Sequence, residues 1–159
     1  MMQMRKKERE VTAPEEIDAI IRDADCIRLA FADGPCPYIV PVNFGYEREG
    51  DVRRFYIHSA LEGRKVDLIR KLGQAGFELD CRGKLAPAEK ACGFTYYFGS
   101  VIGTGRVVEL TDPAEKVRAM QVLMGHYSDK TDWELPAAMM AKTAMFCLTV
   151  EDLSAKLHA

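Results

Sequence analysis

The chain has 159 residues, 48% of them hydrophobic and 29% charged, which is enough to bury one core and too apolar for a disordered tract. With 22 basic against 24 acidic residues its formal net charge is −2, without the positive surplus that general nucleic-acid binding demands. No apolar run approaches the roughly 20 residues that span a bilayer, and the start, MMQMRKKEREV, is charged with no apolar core behind it, so one cytoplasmic domain over residues 1–159 is expected, with no membrane or nucleic-acid partner.

A basic arm (residues 1–10) leads to Thr12 and Glu15, spaced as a capping box, and Ile17, Ile20 and Ile21 then repeat at helical spacing. A first helix is therefore expected to run to about Ala24. Next, 26-CIRLAFA-32 and 38-YIVPVNFGY-46 read as two strands joined through 33-DGPCP-37. Pro41 has no N–H for a ladder, which puts it at an edge, a bulge or a ligand-facing wall, with Asn43 free to point into a site. After a turn at 47-EREGD-51, 53-RRFYIH-58 alternates as a half-buried strand does, completing a three-strand meander.

A helix is expected from about Ala60 to Leu72, then a strand at 76-GFELDC-81, a loop over residues 82–93, and the long run 94-FTYYFGSVIGTGRVVEL-110. Its three glycines suggest a bulge or bend in a curled sheet. Asp112 as cap and Pro113 at the first position open a helix whose buried face is Val117, Met120, Leu123 and Met124, ending near His126 and Tyr127. Trp133 and Pro136 sit in an irregular segment, where Trp133 reads as a core anchor ahead of a lid. A last strand, 144-AMFCLTVEDL-153, leaves residues 154–159 as a tail. About six strands and three helices give a mainly β (α+β) class, an antiparallel barrel with helices around it.

The five cysteines, Cys26, Cys36, Cys81, Cys92 and Cys147, are odd in number and contain no C-x-x-C pair, so neither a disulfide framework nor a zinc site is expected. Cys26, Cys81 and Cys147 lie in strand-like runs and read as small hydrophobes. His126 and His158 lack matched ligand partners, and no metal site is assigned.

Chemistry concentrates in 58-HSALEGRK-65. Ser59 and Glu62 form a second capping-box pattern directly after a strand, and the N–H groups of a helix start attract anions. Lys65 falls on the stripe of Leu61, Leu68 and Leu72 where an apolar residue is expected, Arg64 stands beside it, and Gly63 permits close approach. The two cations either converge on a phosphate or remain solvated, Lys65 by snorkelling.

The succession PYIVPVNFGYE, FYIHSALEGRKVDLIRK, GFELD, YYFGSVIGTGRVVEL and DPAEKVRAMQVLMGHY resembles the pyridoxamine 5′-phosphate oxidase-like split β-barrel flavoproteins, on the branch related to the nitroimidazole-resistance (Nim) proteins. The resemblance implies FMN at the interface of a homodimer. Its phosphate falls to Arg64, Lys65, Ser59 and Ala60 at the helix start. By the same analogy Val42, Asn43 and Phe44 line the isoalloxazine, and Ser100, Val101 and Ile102 contribute from the other side. His58 matches the histidine of the HSA signature, either facing a small-molecule substrate as a catalytic group or only shaping the pocket.

No second basic cluster is present for the phosphate of pyridoxamine phosphate, which argues against that activity. SVIGTG lacks the spacing of either a Rossmann or a P-loop turn. The function expected is an FMN-dependent oxidoreductase of a small molecule, resembling a nitroimidazole reductase. A non-catalytic flavin module or sensor, or a split barrel holding haem or F420, stands as the alternative.

Overall fold

The computed structural model describes residues 4–159; the first three residues of the expected basic arm lie outside them. Strands β1 (Glu10–Val11), β2 (Ile27–Phe31), β3 (Tyr38–Val42), β4 (Gly45–Glu49), β5 (Val52–Ser59), β6 (Gln74–Ala86), β7 (Thr95–Leu110) and β8 (Ala144–His158) build one antiparallel sheet. Its order is β3-β2-β6-β7-β8-β5-β4, with β1 paired to β8. Helices α1 (Pro14–Asp23), α2 (Arg64–Leu72), α3 (Pro113–Tyr127) and α4 (Ala137–Ala141) complete a split-barrel α+β fold. The strand count exceeds the expected six, and the five-residue α4 is too short to show a helical period.

The alternation in β2 puts Ile27, Leu29 and Phe31 inside and leaves Arg28 outward. Phe44, Phe55, Phe77 and Phe146, with Ile20 and Ile21 of α1, fill the interior. On the other side of β5 and β8, Tyr56, Met145 and Cys147 pack under Ala119, Met120 and Leu123 of α3. Val117 and Met124 of the expected helix face lie at its margin. Cysteine behaves as a small hydrophobe here: Cys147 is buried, Cys26 and Cys81 are half-buried, and Cys81 Sγ–H donates to the Ile20 carbonyl at 3.4 Å. Among the described residues no helix is long and apolar enough to cross a membrane.

The meander expectation is corrected. β3 pairs with β2 at one end of the sheet, with Pro41 opposite Arg28 on that edge, whereas β4 pairs with β5 at the other end. Only Asn43 and Phe44 join them, so this link draws the two edges together without closing a ladder between them. The fully buried Phe44 ring lies 5.6 Å from that of Phe55, and this inward anchor ends one strand and starts the next.

Three further boundaries differ. β6 runs on to Ala86 through a register shift between Cys81 and Lys84, where Arg82 adopts φ 59°; the bulge breaks the period of two and makes the sequence look like a loop. β8 continues to His158 because β7 supplies partners as far as Phe98, so the expected tail is strand. α1 starts at Pro14 after Ala13, without a side-chain cap, so Thr12 and Glu15 form no capping box; Pro14 in the first turn presets the backbone instead. At α3 the expected cap is present, with Asp112 Oδ2 accepting from the Glu115 N–H at 3.1 Å.

One carboxylate is buried. Asp18 accepts from the Tyr46 hydroxyl at 2.6 Å and from Arg48 Nε at 2.7 Å. Burial pushes its pKa up, but the bonds from Tyr46 and Arg48, with the nearby guanidinium charges, outweigh burial and hold it below the usual carboxylate range. A depressed pKa in the folded state means stability present at neutral pH and lost as pH falls through that value. Asp18→Asn is expected to cost about 1–2 kcal/mol at pH 7 and to flatten the acid limb of urea-measured stability below about pH 4. An acid limb identical to wild type would show that Asp18 is not its source.

Candidate functional site

The stretch after β5 differs from the expected helix start. Residues 60–63 are irregular and α2 begins at Arg64, so Ser59 and Glu62 form no capping box. Gly63 precedes the helix with φ 141° and ψ 168°, a conformation that L side chains rarely adopt. Leu61 therefore lies outside the helix and is exposed, and the buried face is Val66, Leu68 and Ile69. One consequence matters chemically: Arg64 and Lys65 occupy the first turn itself, beside the free N–H groups.

The two cations have different surroundings. Arg64 donates through Nε and Nη2 to Asp33 Oδ2 at 3.0 and 2.5 Å, and its guanidinium lies 4.3 Å from the centre of the Tyr38 ring. Lys65 is half-buried, and among the described residues its ammonium has no carboxylate within 4.0 Å. Burial lowers its pKa. A desolvated ammonium without a partner is a standing electrostatic cost that an anion relieves.

Beside it, His58 is the penultimate residue of β5, opposite Met145 of β8, with an exposed ring. Partial desolvation at the strand end first, and the positive charge of Lys65 second, lower its pKa and so favour the neutral imidazole, which can both donate and accept. Ser59, opposite Ala144, is half-exposed, and Ala60 is exposed.

The other expected site residues divide by the period of the strands. Val42 is half-buried at the end of β3 and Asn43 is exposed in the link. Phe44 and Val101 are both fully buried in the core, so their side chains point away from solvent and their backbones are the parts within reach of a ligand. Ile102, 53% exposed, and half-exposed Ser100 face outward from β7.

Ile102 lines a groove of about 620 Å³ on the uncovered face of the sheet, together with Arg28, Ala30, Ile39, Gly76 and Glu78. Apart from Ile102, sequence reasoning missed this lining, although the alternation of β2 and β6 marks Arg28, Ala30, Gly76 and Glu78 as outward. Arg28 is already engaged there, Nη1 donating to Glu78 and Asp80 at 3.0 and 2.9 Å.

Within one chain the expected site does not assemble. Ser59 pairs with Ala144 and Ile102 pairs with Ser154, ten residues further along β8, on the order of 30 Å of extended strand. Trp133 is half-buried with the Lys130 ammonium 4.5 Å from its ring centre and no hydrogen-bond partner for its buried indole N–H. Among the described residues no three His, Cys, Asp or Glu side chains are grouped to hold a metal ion.

The family model described as pyridoxamine 5′-phosphate oxidase matches residues 13–157, nearly the whole chain. The chain belongs to this family. Its fold is shared with several solved structures. A candidate 5-nitroimidazole antibiotic resistance protein from Bacteroides thetaiotaomicron superposes with a TM-score of 0.80 at 24% identity, covering 92% of this chain and 85% of that one. The flavocytochrome Anf3 from Azotobacter vinelandii does so with a TM-score of 0.81 at 21% identity, covering 99% and 72%. An FAD-binding protein from Mesorhizobium loti gives 0.64 at 24% identity, covering 93% and 96%. No curated protein matches the chain. For this family member, then, the fold is common property, and the residues at the start of α2 carry the case for function.

Proposed function

We propose that the protein binds FMN, with its phosphate at the start of α2, and serves as an oxidoreductase of a small molecule. The observation that carries this is Lys65, a half-buried ammonium in the first turn of a helix, with no carboxylate partner among the described residues. A phosphate supplies the missing counter-charge and accepts from the free N–H groups of that turn. Ser59 and Ala60 border the same junction, and Arg64 is held close by Asp33 and Tyr38. The flavocytochrome Anf3 and the FAD-binding protein of M. loti share this fold, which is consistent with a flavin here.

Flavin, when bound, supplies the electron transfer, and the protein's part is to hold it and to shape the approach of a substrate. Neutral His58 stands ready to donate a hydrogen bond or accept a proton beside the cofactor. A second phosphate finds little welcome: Arg28, Arg54, Arg70, Arg106 and Arg118 each face a carboxylate, which disfavours pyridoxamine phosphate as substrate. The outward Ser100 and Ile102 of β7 pair with Lys156 and Ser154, ten or more residues along β8 from the Ala144 partner of Ser59, so we assign them to the flavin of a second copy in a homodimer.

Absorption spectra of fresh protein, then titration of stripped protein with FMN and with FAD, test the cofactor. Flavin bands and tight FMN uptake are expected, and a colourless protein that ignores both flavins would sink the proposal. His58→Ala is expected to keep the flavin and to slow reoxidation by a nitroaromatic or quinone. Wild-type protein whose reduced flavin reacts with neither acceptor would instead mark a binding or sensing module. Since Anf3 is described as a flavocytochrome, a Soret band in the same spectrum is the result that would add haem.

A further inference from the structure

The last turn of α3 grips the link between β3 and β4. The Tyr127 hydroxyl accepts from the Phe44 N–H at 3.1 Å and donates to the Asp25 carbonyl at 2.7 Å. One residue earlier, His126 Nε2 donates to the Ala24 carbonyl at 2.6 Å, and its ring centre lies 4.2 Å from that of Phe44. A carbonyl only accepts, so this nitrogen carries the proton. The backbone of α3 at Leu123 also lies directly against Gly45. One helix end therefore holds the N–H of Phe44, its ring and the residue after it, and ties them to the residues that lead into β2.

Tyr127 is 41% exposed, so apolar burial is a weak reason for its place. Its hydroxyl makes two bonds, both to backbone groups, and neither belongs to a regular ladder. The link has no strand partner of its own across the split, and every backbone donor that folding takes from water needs a substitute acceptor. For the Phe44 N–H that acceptor comes from a helix 83 residues away in the chain.

We propose that Tyr127 is a positioning residue: through the Phe44 N–H it sets the backbone of Val42 and Asn43 at the end of β3, the strand whose first residue, Tyr38, lies against Arg64, and so shapes the site proposed for the flavin. The functional half of this inference rests on the flavin reading; the mechanical half rests on the two hydrogen bonds alone. Tyr127→Phe keeps the ring and removes both bonds. Asp112→Ala is the control, because it removes the cap at the far end of the same helix and leaves the link untouched.

The experiment combines amide hydrogen exchange at Phe44 with FMN titration of the same protein, well below the melting temperature. For Tyr127→Phe we expect Phe44 exchange to accelerate about tenfold and FMN affinity to fall about tenfold, the scale of one unpartnered backbone donor. Asp112→Ala should lower the melting temperature and leave FMN affinity as in wild type. Unchanged Phe44 exchange in Tyr127→Phe overturns the contact. Faster exchange with wild-type FMN affinity overturns the positioning role alone, and so does an equal loss of affinity in Asp112→Ala, which would reduce the effect to general stability. Wild-type protein that takes up no FMN would overturn the cofactor assignment and this role with it.

Discussion

Lys65→Ala is expected to weaken FMN binding by about 1.5–3 kcal/mol, roughly tenfold to more than a hundredfold, the scale of hydrogen bonds to a charged group. The half-buried ammonium lacks a carboxylate among the described residues, so binding disrupts no existing pair, and nearly all of its attraction for a phosphate appears as affinity. Arg64→Ala should cost less, because that guanidinium is already shared with Asp33 and its side chain is 61% exposed. The pH dependence has a definite sign: only the protonated amine attracts the phosphate, and burial lowers its pKa, so affinity should decline at a lower alkaline pH than an ordinary lysine would give.

The same residue makes an opposite prediction for the flavin-free protein. Lys65→Met removes an uncompensated, desolvated charge while keeping the long stem, so the melting temperature of stripped protein should hold or rise. Isothermal titration and thermal melts read both effects. Unchanged FMN affinity in Lys65→Ala would place the phosphate away from α2 and leave Lys65 as a solvated cation.

Gly45→Ala is the second large effect, expected to destabilise the fold by about 3 kcal/mol, the upper range of overpacking. A Cβ at this position would stand 2.5 Å from both the N and Cα of Leu123 and 2.7 Å from the Val122 carbonyl carbon. These are backbone atoms in the middle of a helix, and no rotamer change moves them aside. Relief requires α3 to lift from β4, and the same movement draws Tyr127 away from Phe44. We therefore expect the urea midpoint to fall and, in the protein that remains folded, FMN affinity to fall with it. A loss below about 0.5 kcal/mol, ordinary for a surface substitution, would show that α3 adapts freely and does not set the link.

These effects turn on features of unequal visibility in the sequence. The alternation of CIRLAFA marks β2, and Asp112 followed by Pro113 marks the start of α3, because each signal is local to a few residues; RRFYIH marks a strand but not the half-buried one expected, since Phe55 and Ile57 face the interior while Tyr56 is covered by α3. The cations of GRK were visible as chemistry, and their difference was not. Asp33, 31 residues before Arg64, supplies the carboxylate that occupies one of them and not the other. The Ser59 and Glu62 pattern pointed to a helix start four residues early, since it carries no information on whether the backbone at Gly63 can turn into the helix. Phe44 and Val101 looked like neighbours of a ligand by analogy; the period of β7 turns Val101 inward, and Phe44 is turned inward by the link between β3 and β4, so both side chains lie in the core.

By itself, then, the sequence determined the strands with a clean period of two, the apolar faces of α1 and α3, the cap at Asp112, and a cationic pair after a strand. All of these follow from interactions within one or two turns or a few pleats of chain. It took tertiary contacts to put β3 and β4 at opposite edges of the sheet, to extend β8 to His158, to leave Lys65 with no carboxylate partner among the described residues, and to let Tyr127 hold Phe44. Each depends on which distant backbone donors and acceptors meet, and an unpaired buried group costs enough free energy to force such meetings across any length of chain.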